Sequence, residues 1–236
     1  MIAKRPARGV QGSQLHGDPG SSAWDALMQA LDEWHVGREP PSVTKVAGQG
    51  HDPFKVLVAT ILSLRTQDPV TEAAAARLFT MADTPSALAD MDVNEIALAI
   101  RPVNFYPTKA VRLNLIARRL VAEFGGEVPA DLDVLLSFDG VGRKTANLVL
   151  AEGFDLPGLC VDTHVHRILN RIGWIATRDP YATEMRLRQV LPVAHWKPIN
   201  TFLVSFGQQV CRPTSPRCSI CPLSARCSRV GVTRTR

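Results

Sequence analysis

Apolar residues recur at three- and four-residue intervals along nearly the whole chain, the period of amphipathic helices. Residues 54–63 (FKVLVATILS) predict a strongly apolar helix behind Pro53, and residues 71–81 an Ala-rich one. The run Asp92-Val-Asn-Glu95 has the form of a capping box and opens a short helix through Ile100. Thr108 is the expected cap of a long amphipathic helix that stops at the Gly125-Gly126 pair. Further helices are expected over 131–138, 144–152, 164–172, 183–190 and 196–210. Alternating apolar runs are short and isolated, which predicts no sheet. About ten helices on short connectors define an all-α protein. So much helix exceeds one simple bundle, so two lobes with a cleft between them are expected. No internal repeat is visible.

Composition narrows the setting. The chain has 236 residues, 45% of them hydrophobic, enough for one or two cores. No apolar run reaches the length of a membrane span. Residues 1–22 are basic and Gly/Ser-rich without the apolar segment of a secretion signal, and read as a disordered tail. A cytoplasmic, reducing compartment is expected. The net charge of +5 is concentrated at the ends. From Thr201 onward there are six Arg and no Asp or Glu, and Lys4, Arg5 and Arg8 stand near the start. Clustered Arg suggests a polyanion surface, although charge alone does not separate that from ordinary solvated surface.

Four of the five cysteines share one short window, Cys211, Cys218, Cys221 and Cys227, spaced C-x6-C-x2-C-x5-C. Thiolates this close can ligate one compact centre, and C-x2-C brings two of them in from a single tight turn. Two disulfides in so short a tail would be unusual in a reducing compartment. Zinc sites favour two short gaps, whereas only one gap here is short. The spacing therefore favours a [4Fe–4S] cluster, with zinc the alternative. Cys160 lies outside the pattern and is expected to be a buried thiol.

Residues 135–150 (LLSFDGVGRKTANLVL) join two apolar helices through Asp139-Gly140-Val141-Gly142. Gly140 and Gly142 permit close backbone approach, and the helix opening near Arg143 offers free N–H groups at the turn. This is the form of a helix–hairpin–helix, a sequence-independent grip on a DNA phosphate, with Arg143 and Lys144 adding positive charge. Lys144 stands in the first turn, where the helix dipole and any desolvation favour the free amine, so a nucleophile and a phosphate contact are both open readings. Asp162, in Val161-Asp162-Thr163-His164-Val165-His166-Arg167, precedes an amphipathic helix and can cap it while also acting on a substrate. His164 and His166 stand two apart and do not share a helix face, which argues against a His metal pair.

LSLRTQD (62–68), FDGVGRKTANLVL, VDTHVHRILNR and the cysteine tail occur in this order and spacing. Together they resemble the endonuclease III family of DNA base-excision glycosylases, in the helix–hairpin–helix superfamily, from about Ala23 to Cys227. The resemblance implies two all-α lobes flanking a DNA cleft: a six-helix lobe over 46–155, and a cluster lobe built from 23–45 and 156–228, with a basic tail over 229–236. It implies a bifunctional glycosylase and β-lyase acting on oxidised pyrimidines. Lys144 matches the family's Schiff-base lysine, Asp162 its catalytic aspartate, and the four cysteines the ligands of a [4Fe–4S] cluster that shapes a DNA-gripping loop. Arg212 and Arg217, bracketing the first cysteine gap, are the expected DNA contacts of that loop. Gly140, Gly142, Arg143 and Thr145 of the hairpin would meet the DNA backbone. Phe105, in Asn104-Phe105-Tyr106, matches a loop that fills the gap left by a flipped base. Arg65 stands where many relatives carry Gln for the same purpose, which puts the accepted opposite base in question. His164 would line the cleft, or serve only to orient its neighbours. Asp139 replaces a common Pro, so a less rigid hairpin is expected.

The implied partner is double-stranded DNA with oxidised pyrimidines or abasic sites, bound by a monomer in the cytoplasm at the nucleoid. The adenine glycosylase branch is the nearest alternative. It carries a catalytic Glu at the position of Thr60, lacks the lyase lysine and adds a C-terminal domain. A non-catalytic DNA-binding module would require Lys144 or Asp162 to be missing, and both are present. A zinc-bound interaction protein with a basic tail is the third class.

Overall fold

The structure, a computed structural model, describes residues 19–236, and most of the expected N-terminal tail lies outside them. The tail ends earlier than expected where it can be seen, because Ser21 and Ser22 already belong to the first helix. Twelve α-helices and no strand make up the described residues. None is long and apolar enough to cross a membrane.

α1 (Ser21–His35) and α2 (Ser42–Ala47) lead into α3 (Pro53–Ser63). Asp52 caps α3 by accepting from the Phe54 and Lys55 amides at 2.9 and 3.2 Å, and Pro53 starts it. Phe54 and every residue from Val56 to Leu62 are buried, so α3 is apolar all round and forms the axis of the first core. α4 (Asp68–Met81), α5 (Pro85–Asp90), α6 (Val93–Ile100) and α7 (Tyr106–Phe124) pack about it. Asp92 caps α6 through the Asn94 amide at 2.7 Å, as its sequence suggests. α7 does not start at Thr108. Phe105, left-handed at φ 58°, and Pro107 in the first turn set the start at Tyr106. α7 ends where expected: Gly125 and Gly126 take positive φ and both turn their N–H groups back to the Leu120 carbonyl.

α8 (Leu132–Leu136) and α9 (Arg143–Leu148) form the hairpin. The helix expected over 144–152 is not α throughout, because Val149–Gly153 is a π turn that widens its end. α10 (Thr163–Ile172), α11 (Pro180–Val190) and α12 (Trp196–Gln209) follow. They build a second core with α1, in which Trp24, Leu27 and Leu31 meet Ile168, Leu203 and Phe206. The first core holds buried residues from Val43 to Cys160. The second lobe is thus closed from both ends of the chain, with α9 and α12 facing each other across the gap. After α12 the chain makes two short 3-10 turns, Cys218–Ile220 and Ser224–Arg226. Its last residue returns to this loop, where Arg236 donates to the Pro216 carbonyl at 2.8 Å and accepts from the Ser219 amide at 3.1 Å.

Candidate active site

Lys144 and Asp162 are eighteen positions apart, and one glycine explains how they meet. A Cβ on Gly158 would lie 2.2 Å from the Asn147 carbonyl oxygen and 2.9 Å from the Ala151 amide nitrogen. Only glycine lets the returning chain run so close to α9. That path carries Cys160 beneath α9, where its thiol lies 3.7 Å from the Lys144 carbonyl and burial pushes its pKa up to about 12. Cys160 is therefore the inert buried thiol expected of it.

Asp162, 9% exposed, divides its carboxylate between two tasks. Oδ1 accepts from the His164 and Val165 amides at 2.8 and 3.0 Å and caps α10. Oδ2 faces the Lys144 amine at 4.0 Å. Both residues open onto a cleft of ≈ 510 Å³ between the two cores, lined also by Ser42, Arg65, Asp68, His164, Asn200 and Gln208. Its walls are cross-tied: Asp68, from α4, accepts from Ser42 at 2.9 Å and from Gln208 of α12 at 3.2 Å.

His164 reaches the cleft and is fixed from behind. Arg167 donates to its Nδ1 at 3.0 Å, and a Cβ on Gly207 would lie 2.2 Å from the same atom. Burial holds His164 below its ordinary pKa, Arg167 adding to the effect and Asp162 opposing it, so the ring is neutral at neutral pH. Arg212, Arg217 and His164 line an adjoining recess of ≈ 340 Å³, with Arg236 beside them.

The hairpin differs from expectation in where its side chains go. Gly140 takes φ +76°, and a Cβ there would meet Arg112 at 2.7 Å. Arg112 also pairs with Asp139 at 3.2 Å, so the residue in place of proline tethers the turn to α7. Gly142 precedes α9 without any side-chain cap, leaving the first-turn amides open. Arg143 does not project freely. Its Nε and Nη2 donate to both oxygens of Glu184 at 2.8 and 2.7 Å. Thr145 is buried, so its side chain is not presented at the hairpin surface.

Arg65 and Phe105 stand together on the far rim. Both adopt left-handed backbone, at φ 57° and 58°, and the guanidinium lies 5.3 Å from the ring centroid. Asn104 ties the two loops by donating to the Arg65 carbonyl and, through its amide, to Thr66. Lys109 lies beneath them and donates to the Leu62 and Leu64 carbonyls at 2.8 and 2.7 Å, ending α3. Burial lowers its pKa to about 8. Sequence reasoning passed over Lys109, although a lysine on the stripe of Leu113, Ile116, Ala117 and Leu120 is a visible anomaly. Thr60 is wholly buried and donates to the Val56 carbonyl at 2.7 Å, so the helix offers no carboxylate there.

None of the five cysteines is in a disulfide. Cys211, Cys218, Cys221 and Cys227 ring one small cavity of ≈ 30 Å³, with Arg171 donating to Cys211 Sγ at 3.5 Å. Burial pushes Cys221 up to about 11 and raises Cys227 as well. Among the described residues no three His, Cys, Asp or Glu side chains converge closely enough for a single ion.

An all-α pair of lobes, a glycine hairpin and a Lys–Asp cleft define a helix–hairpin–helix protein built around an amine. The comparisons agree. Residues 58–192 match the HhH-GPD superfamily base excision DNA repair protein family. Endonuclease III of Thermotoga maritima is 48% identical over 176 residues, covering 75% of this chain and 83% of that protein. A non-covalent endonuclease III–DNA complex superposes with a TM-score of 0.79 at 28% identity, covering 89% of this chain and 96% of the other. A trapped endonuclease III–DNA covalent intermediate gives 0.73 at 30% identity, covering 87% and 96%. The chain belongs to the endonuclease III family, base-excision DNA glycosylases with AP-lyase activity.

Proposed function

We propose that this chain removes oxidised pyrimidines from duplex DNA and nicks the resulting abasic site by β-elimination, with Lys144 as the nucleophile. The observation that carries this reading is the Lys144–Asp162 pair, a cleft amine 4.0 Å from a half-committed carboxylate. A flipped nucleotide enters the cleft at a cost of a few kcal/mol, which is smaller for a damaged base that stacks and pairs poorly. The Lys144 amine attacks C1′ through its lone pair, and the C1′–N bond to the base breaks. Asp162 Oδ2 takes the amine proton and steadies positive charge on the opening sugar. The imine acidifies the C2′ proton, and its loss expels the 3′ phosphate. Open amides at the start of α9 receive a backbone phosphate, Arg212 and Arg217 flank the strand, and Phe105 with Arg65 fills the vacated space. The monomeric chain completes the site from its own two lobes.

A [4Fe–4S] cluster fits the donor set. Cys211, Cys218, Cys221 and Cys227, which line one cavity, would hold it, and a spacing with only one short gap suits a cube better than lone zinc. The group would supply folding energy to the loop carrying Arg212 and Arg217. Protein purified without chelator should show broad visible iron–sulfur absorbance and four irons per chain. A colourless protein carrying one zinc would refute that assignment.

The functional test is excision from duplexes holding dihydrouracil, thymine glycol, a preformed abasic site, or adenine opposite 8-oxoguanine. Wild type should release the two damaged pyrimidines, nick the abasic strand and be captured on it by borohydride. Preferential release of adenine, without capture, would move the chain to the adenine glycosylase branch.

A further inference from the structure

Asn200 lies in the middle of α12, on the face that looks across the cleft toward α2 and α9. The residue is 6% exposed, and its Nδ2 is buried with no hydrogen-bond partner. A buried donor without an acceptor is costly, and native structures keep few of them without a reason. Two other buried polar atoms among the described residues lack partners, Trp24 Nε1 and His35 Nδ1, and neither residue lines the cleft.

The polar groups around Asn200 are already engaged. Ser42 donates to Asp68, Gln208 donates to the other Asp68 oxygen, and Thr44 and Thr201 share a hydrogen bond at 3.3 Å. Asp162 Oδ1 is held by two amides, and its Oδ2 faces Lys144. Val43, Leu148 and Val161 add apolar surface to the cleft lining. A ring bound against such a wall would be oriented by the single free carboxamide.

We propose that Asn200 is a specificity-determining residue that hydrogen-bonds the carbonyl and N–H edge of the extruded base. This rests on the glycosylase reading above. A carboxamide offers one donor and one acceptor side by side, matching the C=O and N3–H groups that a uracil- or thymine-derived base keeps when its 5,6 double bond is oxidised or saturated. No protein atom accepts from this donor, and an incoming base would supply an acceptor. A site arranged in this way discriminates against ligands lacking that edge. An abasic sugar has no base and makes no demand on Asn200.

The reaction's two halves separate the possibilities. Single-turnover release of dihydrouracil and nicking of a preformed abasic duplex are measured for wild type, Asn200→Ala and Asn200→Asp, with thermal melting of each. Both variants should lose about tenfold or more in base release, the scale of a lost directional hydrogen bond, with abasic nicking and borohydride capture within about twofold of wild type. Asn200→Asp keeps the shape and removes the donor, so a loss confined to Asn200→Ala would assign the effect to packing and overturn the proposal. Equal losses in release and nicking would also overturn it, as would unchanged release. A wild type that neither releases nor nicks would overturn the parent reading together with this one.

Discussion

Lys144→Ala is expected to abolish borohydride capture on an abasic duplex and to slow strand nicking by more than about 10³-fold, the scale of removing a nucleophile while its partners remain. The side chain is 36% exposed and pairs only loosely with Asp162, so its loss should leave the melting temperature nearly unchanged. Asp162 gives the sharper control because its two oxygens do different work. Asp162→Asn keeps an oxygen for the His164 and Val165 amides and removes the charge beside Lys144. It should preserve stability and lower turnover by about 10²-fold. Asp162→Ala removes the cap as well and should cost about 1 kcal/mol of stability in addition. Capture of Lys144→Ala on DNA at the wild-type level would sink the assignment of the nucleophile.

The residues of the candidate site were more legible than the packing around them. α3 could be read as an unbroken apolar run behind Pro53, and α7 as one amphipathic period ending at the Gly125-Gly126 pair. The cysteines and the glycine hairpin were legible because their meaning lies in short spacings. α5 escaped notice because six residues hold too little periodic signal, and it relies on distant Asn114, whose amide bonds the Leu88, Ala89 and Met91 carbonyls. The start of α7 was misread at Thr108 because Phe105 adopts a left-handed backbone that no local propensity favours. Arg143 reads as a DNA contact in sequence, since its partner Glu184 stands 41 positions away on another helix. Asn200 shares its helix with Trp196, Ile199, Leu203 and Phe206, and nothing local says that its amide faces a cleft instead of solvent. Asn114 and Glu184 act through pairings between segments, and Asn200 faces a cleft between them, which a one-dimensional pattern does not carry.

Glu184→Ala is the substitution outside the cleft with the largest expected effect. Glu184 is 4% exposed and receives Arg143 from α9 at two oxygens, Arg188 from its own helix at 2.8 Å, and Asn147 at 3.3 Å. Burial alone would raise its pKa, but the hydrogen bonds and charges of Arg143 and Arg188 outweigh that and hold the carboxylate ionised. The cluster bridges α9, which belongs to the first core, and α11, whose Leu187 belongs to the second. It therefore ties the two lobes together at the root of the hairpin. Removing the shared acceptor leaves two guanidinium groups facing each other without a counterion, a loss of roughly 3 kcal/mol, or on the order of 10 °C in melting temperature. Arg143→Ala and Arg188→Ala should each cost less, because either leaves Glu184 with one cation, and the two losses should not add. Freed from Glu184, Arg143 would be an unpaired cation next to Lys144, so nicking should weaken along with stability. A melting temperature within about 2 °C of wild type for Glu184→Ala would show that the lobes are held by their apolar contacts alone.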